Sequence, residues 1–115
     1  LYLPKLQYTR DRINFEWLSA YKENKQNDLP LALHCGSLMG RIRDLLGVEH
    51  LSYLYADDED LYTEIIDTIG GLSYDIAKAI LETGVSFDYA HFWEDICFKN
   101  GPLVSPSVFE EKVGP

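Results

Sequence analysis

Asp28-Leu-Pro30-Leu31-Ala-Leu33-His34-Cys35-Gly36-Ser37-Leu38-Met-Gly40-Arg41-Ile42-Arg43-Asp-Leu45-Leu-Gly47 is the stretch on which the fold turns. Leu31, Cys35, Leu38, Ile42 and Leu45 step by 4, 3, 4 and 3, the period of one helical face. Asp28 stands where a cap is wanted, Pro30 falls in the first turn where its missing N–H costs nothing, and Gly47 supplies a left-handed stop. The spacing therefore predicts a helix over 28–47 at the centre of the core. Gly36 and Gly40 would share a face and admit a neighbouring helix, which offsets a cost of about 1 kcal/mol for each glycine relative to alanine.

Downstream, Val48–Ala56 is rich in β-branched and aromatic residues, but no second strand of matching quality accompanies it, so a short helix carrying His50, Leu51 and Leu54 is expected. Asp57-Asp58-Glu59-Asp60 then opens a helix, with Asp57 or Asp58 as its cap and Leu61, Ile65, Ile66 and Ile69 on its buried side. Gly70-Gly71 reads as a break, after which Ser73 caps a helix holding Ile76, Ala77, Ile80 and Leu81 and ending at Gly84. Ser86 opens another, from Phe87 to Lys99, whose apolar side is Phe87, Ala90, Trp93, Ile96 and Cys97, stopping at Asn100-Gly101. Ser105-Pro106 starts a last turn in which Ser107 and Glu110 have capping-box spacing and Phe109 docks on the body. Upstream, Pro4 favours an extended strap over residues 1–8, and Thr9 caps a helix presenting Ile13, Trp17, Leu18 and Tyr21 and ending near Lys25. The expectation is an all-α fold: one compact domain over residues 1–115, five helices and a short C-terminal helical turn within a tail at 102–115.

Net charge is -9 over 115 residues, unevenly placed. Residues 1–43 balance to +3, residues 44–98 to -12 with Lys78 the single base, and the last seventeen residues cancel. A field of that sign repels phosphate backbones and speeds the approach of cations, so direct nucleic-acid binding is not expected. No apolar run reaches the roughly 20 residues that cross a bilayer, and no basic region followed by an apolar core stands at the front. Cys35 and Cys97, far apart among apolar neighbours, read as small buried hydrophobes in a reducing, cytoplasmic setting.

Catalytic constellations are not found. His91, Glu94 and Asp95 have metal-ligand spacing if they lie on a helix, but a site needs three or four converging ligands and His34 and His50 have no helical partners, so no metal and no cofactor is assigned. The acidic run fails as a calcium loop, with Tyr62 and Thr68 where glycine and glutamate are required. His34 cannot face its neighbour Cys35, Ser37 lacks the strand-to-helix elbow of an esterase nucleophile, and Arg41 and Arg43 are explained as cations in the last turn of a helix.

What remains is a surface. Tyr53, Tyr55 and Tyr62 surround Asp57, Asp58, Glu59 and Asp60, and Glu64 follows on the outer face. Dipole complementarity accounts for one or two acids there; four in a row repel one another, while aromatic anchors among steering charges are the composition of a binding hot spot. A small acidic helical protein of this kind resembles immunity proteins and antitoxins that neutralise basic nucleases, an analogy of character that implies a basic protein partner and assigns no residue. A helical adaptor or subunit of a larger assembly is the alternative, with Leu1, Tyr2, Leu3 and Val104–Phe109 as its apolar contacts. A small enzyme with an unidentified site is the third.

Overall fold

Gly36 has φ +83°, a conformation that side-chain-bearing residues rarely adopt and that no helix interior contains. The structure is a computed structural model that describes residues 3–23 and 29–115. In it the expected central helix is two elements: a strand, β1 (Ala32–Gly36), and a helix, α2 (Met39–Leu46). Leu31 and Cys35 are four apart, which satisfies a helix and equally a strand, whose period is two. Leu33 between them decides, because it is buried while His34 is exposed. The Asp28 cap and the loop before it lie outside the described residues.

The all-α expectation is thus overturned. Among the described residues, beside α1 (Phe15–Glu23), α2, α3 (Val48–Asp57), α4 (Glu59–Glu82) and α5 (Pro106–Lys112) stand four short strands: β1, β2 (Tyr89–Phe92), β3 (Cys97–Phe98) and β4 (Gly101–Pro102). They make two two-stranded sheets, β1 with β2 and β3 with β4. Asp88 N–H donates to the Leu31 carbonyl (2.8 Å) and Trp93 N–H to that of Gly36 (2.9 Å), so β1 and β2 advance together and run parallel. The Asp88 carboxylate also accepts from Leu31 N–H at 2.7 Å, which pins the register from both directions. The helix expected over 87–99 is replaced by β2 and a tight antiparallel hairpin, Cys97 opposite Pro102 and Phe98 opposite Gly101. The turn is Lys99-Asn100, and Gly101, with φ +129°, opens β4; Asn100-Gly101, read as a helix stop, is where the hairpin reverses.

The break at Gly70-Gly71 is absent. α4 runs unbroken through both glycines, stabilised at intervals by buried Tyr62, Ile66 and Ile69. Its start agrees with expectation, since Leu61 N–H donates to Asp58 Oδ1 at 3.0 Å. α3 is the expected short helix. Residues 3–6 form a 3-10 turn where the strap was expected, with Leu1 and Tyr2 outside the described residues. The first long helix begins later than Thr9, after a 3-10 turn at Arg10–Arg12: Asn14 accepts from Trp17 N–H at 2.9 Å and caps α1.

Contacts divide the chain into two compact units. Leu1–Cys35 with Gly71–Phe92 forms the first, around Ile13, Leu18 and Val85, against which Phe15, Leu31, Ile76, Ile80 and Phe87 pack. Lys22 ties α1 to the end of α4 by donating to the Thr83 carbonyl at 3.1 Å. Gly36–Gly70 with Trp93–Pro115 forms the second, where Met39, Ile42, Tyr62, Ile66 and Ile69 are buried. No helix of the described residues is long and apolar enough to cross a membrane.

Candidate functional site

The acidic, tyrosine-rich segment lies in the second unit, at the corner where α3 ends and α4 begins, and its eight residues have four different fates. Tyr53 is 61% exposed, whereas Tyr62 is only 2% exposed. Tyr55 is half-buried and meets the Tyr62 ring edge-on, with centroids 5.3 Å apart. Burial, and secondarily Tyr55, push the Tyr62 phenol above the ordinary tyrosine value and keep its proton on. Asp58 is spent on the cap of α4, and Glu59 binds Lys112 of α5 at 2.7 Å. That ion pair, with Glu111 at 3.2 Å, raises the Lys112 ammonium well above its usual value. Asp57, Asp60 and Glu64 remain exposed. Of the expected contact surface, Tyr53 and all five acids are exposed, Asp58 and Glu59 while also serving as cap and ion-pair partner, and the other two tyrosines face inward.

A second cluster lies where β2 leads into the loop before β3. Glu94 places both carboxylate oxygens at the start of α2, accepting from Leu38 N–H, from Met39 N–H at 3.2 Å and from Ser37 Oγ at 3.2 Å. Leu38 at the cap position offers no side-chain acceptor, so Glu94 replaces it from a distant part of the sequence. Asp95 is likewise committed, to Arg43 Nη1 at 3.0 Å. Gly40 is where a side chain would collide, because a Cβ there would run into Ser37 Oγ and also lie 3.0 Å from Cζ3 of Trp93. The close approach expected of a neighbouring helix is made instead by an indole ring. Glu94 and Asp95 therefore brace the unit, and their helical spacing from His91 does not exist, since His91 belongs to β2. Among the described residues no three His, Cys, Asp or Glu side chains gather closely enough to hold an ion. His91 instead meets His34 on the adjacent strand, centroids 5.3 Å apart.

Cys35 is half-buried but Cys97 is exposed in its hairpin, contrary to the expected burial, and both are free. Leu3 is exposed, while Val104, Val108 and Phe109 are half-buried.

The apolar surface that the sequence reading missed is in the first unit. Tyr74, Ala77, Lys78 and Leu81 follow one another by 3, 1 and 3 along α4, a single helical stripe, and line a shallow surface depression together with Glu82. Tyr74 is 65% and Leu81 53% exposed. Ile76, Ala79 and Ile80, on another side of the helix, pack against the first unit's core. All four residues of β2 are exposed, Phe92 to 68%. At helical spacing Tyr74 and Leu81 fall together on a side away from Ile76 and Ile80, although the sequence reading groups Leu81 with those two.

Comparison with models of known protein families, with curated proteins and with solved structures gives no match.

Proposed function

We propose that this chain is one part of a larger protein assembly, joined to it through the apolar surface of its first unit. The observation that carries the reading is that the second half of α4 is apolar on two sides: Ile76 and Ile80 serve the unit's own core, and Tyr74 and Leu81 stand in solvent. A helix apolar on more than one side is built for burial. The parallel pair β1–β2 supports the same reading, because parallel strands occur almost wholly in sheets covered on both faces, and here β2 is exposed at every residue. Each buried Tyr or Leu contributes roughly 1.5–3 kcal/mol when it leaves water, so the contact is driven by burial and resists salt. A reducing, cytoplasmic compartment goes with it, since Cys35 and Cys97 are free thiols. Capture of partners on immobilised protein tests this: partners held at high salt and lost from Leu81→Glu support it, whereas partners released by salt from both proteins refute it.

A second reading is favoured by the exposure of Tyr53, Asp57, Asp60 and Glu64: steered docking on a basic protein, of which a toxin nuclease is an example. It predicts a partner released by salt and lost from Asp57→Lys/Asp60→Lys. Either reading leaves Asp58, Glu59, Tyr55 and Tyr62 with work inside the unit.

A further inference from the structure

The second unit contains a cavity of about 210 Å³ bounded by Met39, Leu51, Tyr55, Leu103, Val104 and Val108. Tyr62 also lines it, as do Ser52 and Ser105. The two serines are already engaged: Ser52 Oγ donates to the Val48 carbonyl at 2.8 Å, and Ser105 Oγ shares a hydrogen with Ser107 Oγ at 2.9 Å. Tyr62 differs. Its ring is packed against Tyr55, yet its hydroxyl makes no hydrogen bond to any described residue. Among the described residues no fully enclosed side-chain polar atom lacks a partner, so the 2% of Tyr62 that stays accessible includes its hydroxyl, and Tyr62 is one of the residues that line the cavity. A phenol so placed is a donor awaiting an acceptor.

We propose that this cavity is a binding site for a small neutral molecule of one ring or a branched aliphatic body carrying a single acceptor oxygen, such as a ketone or ester, with the Tyr62 hydroxyl donating to that oxygen. Size sets the first limit, because an apolar cavity of about 150 Å³ already takes up benzene, so the larger volume here admits a ring with a short substituent. Charge sets the second. Asp57, Asp58 and Asp60 stand at the same α3–α4 corner as Tyr55 and Tyr62, and the chain carries -9 overall, a field that opposes a carboxylate. The lining sets the third: apart from the hydroxyls of Ser52, Tyr55, Tyr62 and Ser105 it is apolar, and it holds no charged group to pair with a cation.

The test is a heteronuclear NMR titration of the full chain with acetophenone, ethylbenzene and benzoate. Acetophenone is expected to saturate the methyl signals of Leu51, Leu103 and Val104, ethylbenzene to bind the same signals about 2–10-fold more weakly, as one neutral hydrogen bond allows, and benzoate not to bind. Tyr62→Phe, which keeps the ring, is expected to remove the preference for acetophenone over ethylbenzene while leaving ethylbenzene affinity unchanged. Val104→Trp, which fills the cavity, is expected to abolish both. Shifts that do not saturate, equal affinity of acetophenone and ethylbenzene for the unaltered chain, or a preference that survives in Tyr62→Phe would each overturn the proposal.

Discussion

Replacing Gly71 by alanine separates two accounts of α4 by the sign of the effect. If the chain broke at Gly70-Gly71, a glycine there would hold a turn and alanine would destabilise. In the structure Gly71 lies inside a continuous helix, its φ is not positive, and a Cβ added to it meets nothing within 4 Å. The substitution then removes conformational freedom from the unfolded chain without cost to the fold, a gain of about 0.5–1 kcal/mol. For a domain of this length 1 kcal/mol corresponds to roughly 3–5 °C, so the midpoint of thermal unfolding followed by circular dichroism should rise by about 2–4 °C. Gly70→Ala places its Cβ 3.9 Å from Leu38 Cδ1, an ordinary contact, and should act in the same direction. Gly84 is the control: it has φ +78° and a Cβ there would lie 3.0 Å from Lys22 Nζ, so Gly84→Ala should lower the midpoint. A fall in the midpoint of Gly71→Ala, with Gly84→Ala behaving as expected, would refute the continuous helix.

Glu94→Ala removes the acceptor of the Leu38 and Met39 N–H groups and should cost about 1–2 kcal/mol in urea unfolding, with Ser37→Ala costing less because it removes a single donor. The Lys112 ammonium, held by Glu59 and Glu111, should stay charged to higher pH than the other lysines in a nitrogen-detected titration, and Glu59→Gln should bring it part of the way back. Since its folded value is raised, the stability it confers is fully present below the ordinary lysine value of about 10.4 and is lost only as pH rises through the raised one. The Tyr62 phenol, raised by burial, should ionise above the ordinary tyrosine range in a spectrophotometric titration, and its contribution to stability should likewise decline as pH climbs past about 10.

Where the sequence was legible, a local cause with a single structural outcome was at work. Asp58 caps α4 because a short carboxylate before a helical run has an N–H group waiting for it, and Pro106 opens α5 because its fixed φ suits a first turn. The start of α4 follows from such a cause. Strands β1 and β2 did not, because each pairs with a remote segment. Leu31 to Cys35 fits either period taken alone, and what selects the strand is Tyr89–Phe92, whose register is fixed by Asp88 across 57 positions of sequence. A parallel pair needs a long crossover, so neither strand has a local hairpin to announce it. Three of the eight tyrosine and acidic residues have tertiary partners that the sequence did not announce. Tyr55 and Tyr62 turn inward to each other, and Glu59 meets Lys112 from the far end of the chain. Of the two candidate caps, Asp57 and Asp58, it is Asp58 that caps α4.

The central claim is that burial of apolar surface on the first unit, and not attraction to the acidic corner, joins this chain to its partners. Partner capture from a lysate of the source cells, compared at low and at 1 M salt by quantitative mass spectrometry for the unaltered chain, Tyr74→Glu/Leu81→Glu and Asp57→Lys/Asp60→Lys, measures it directly. The account predicts partners that persist at about 1 M salt, where screening acts within roughly 3 Å, are depleted at least tenfold by the Tyr74/Leu81 pair and are unaffected by the Asp57/Asp60 pair. Release of those partners by salt, with loss from the Asp57/Asp60 pair and retention by the Tyr74/Leu81 pair, would contradict it.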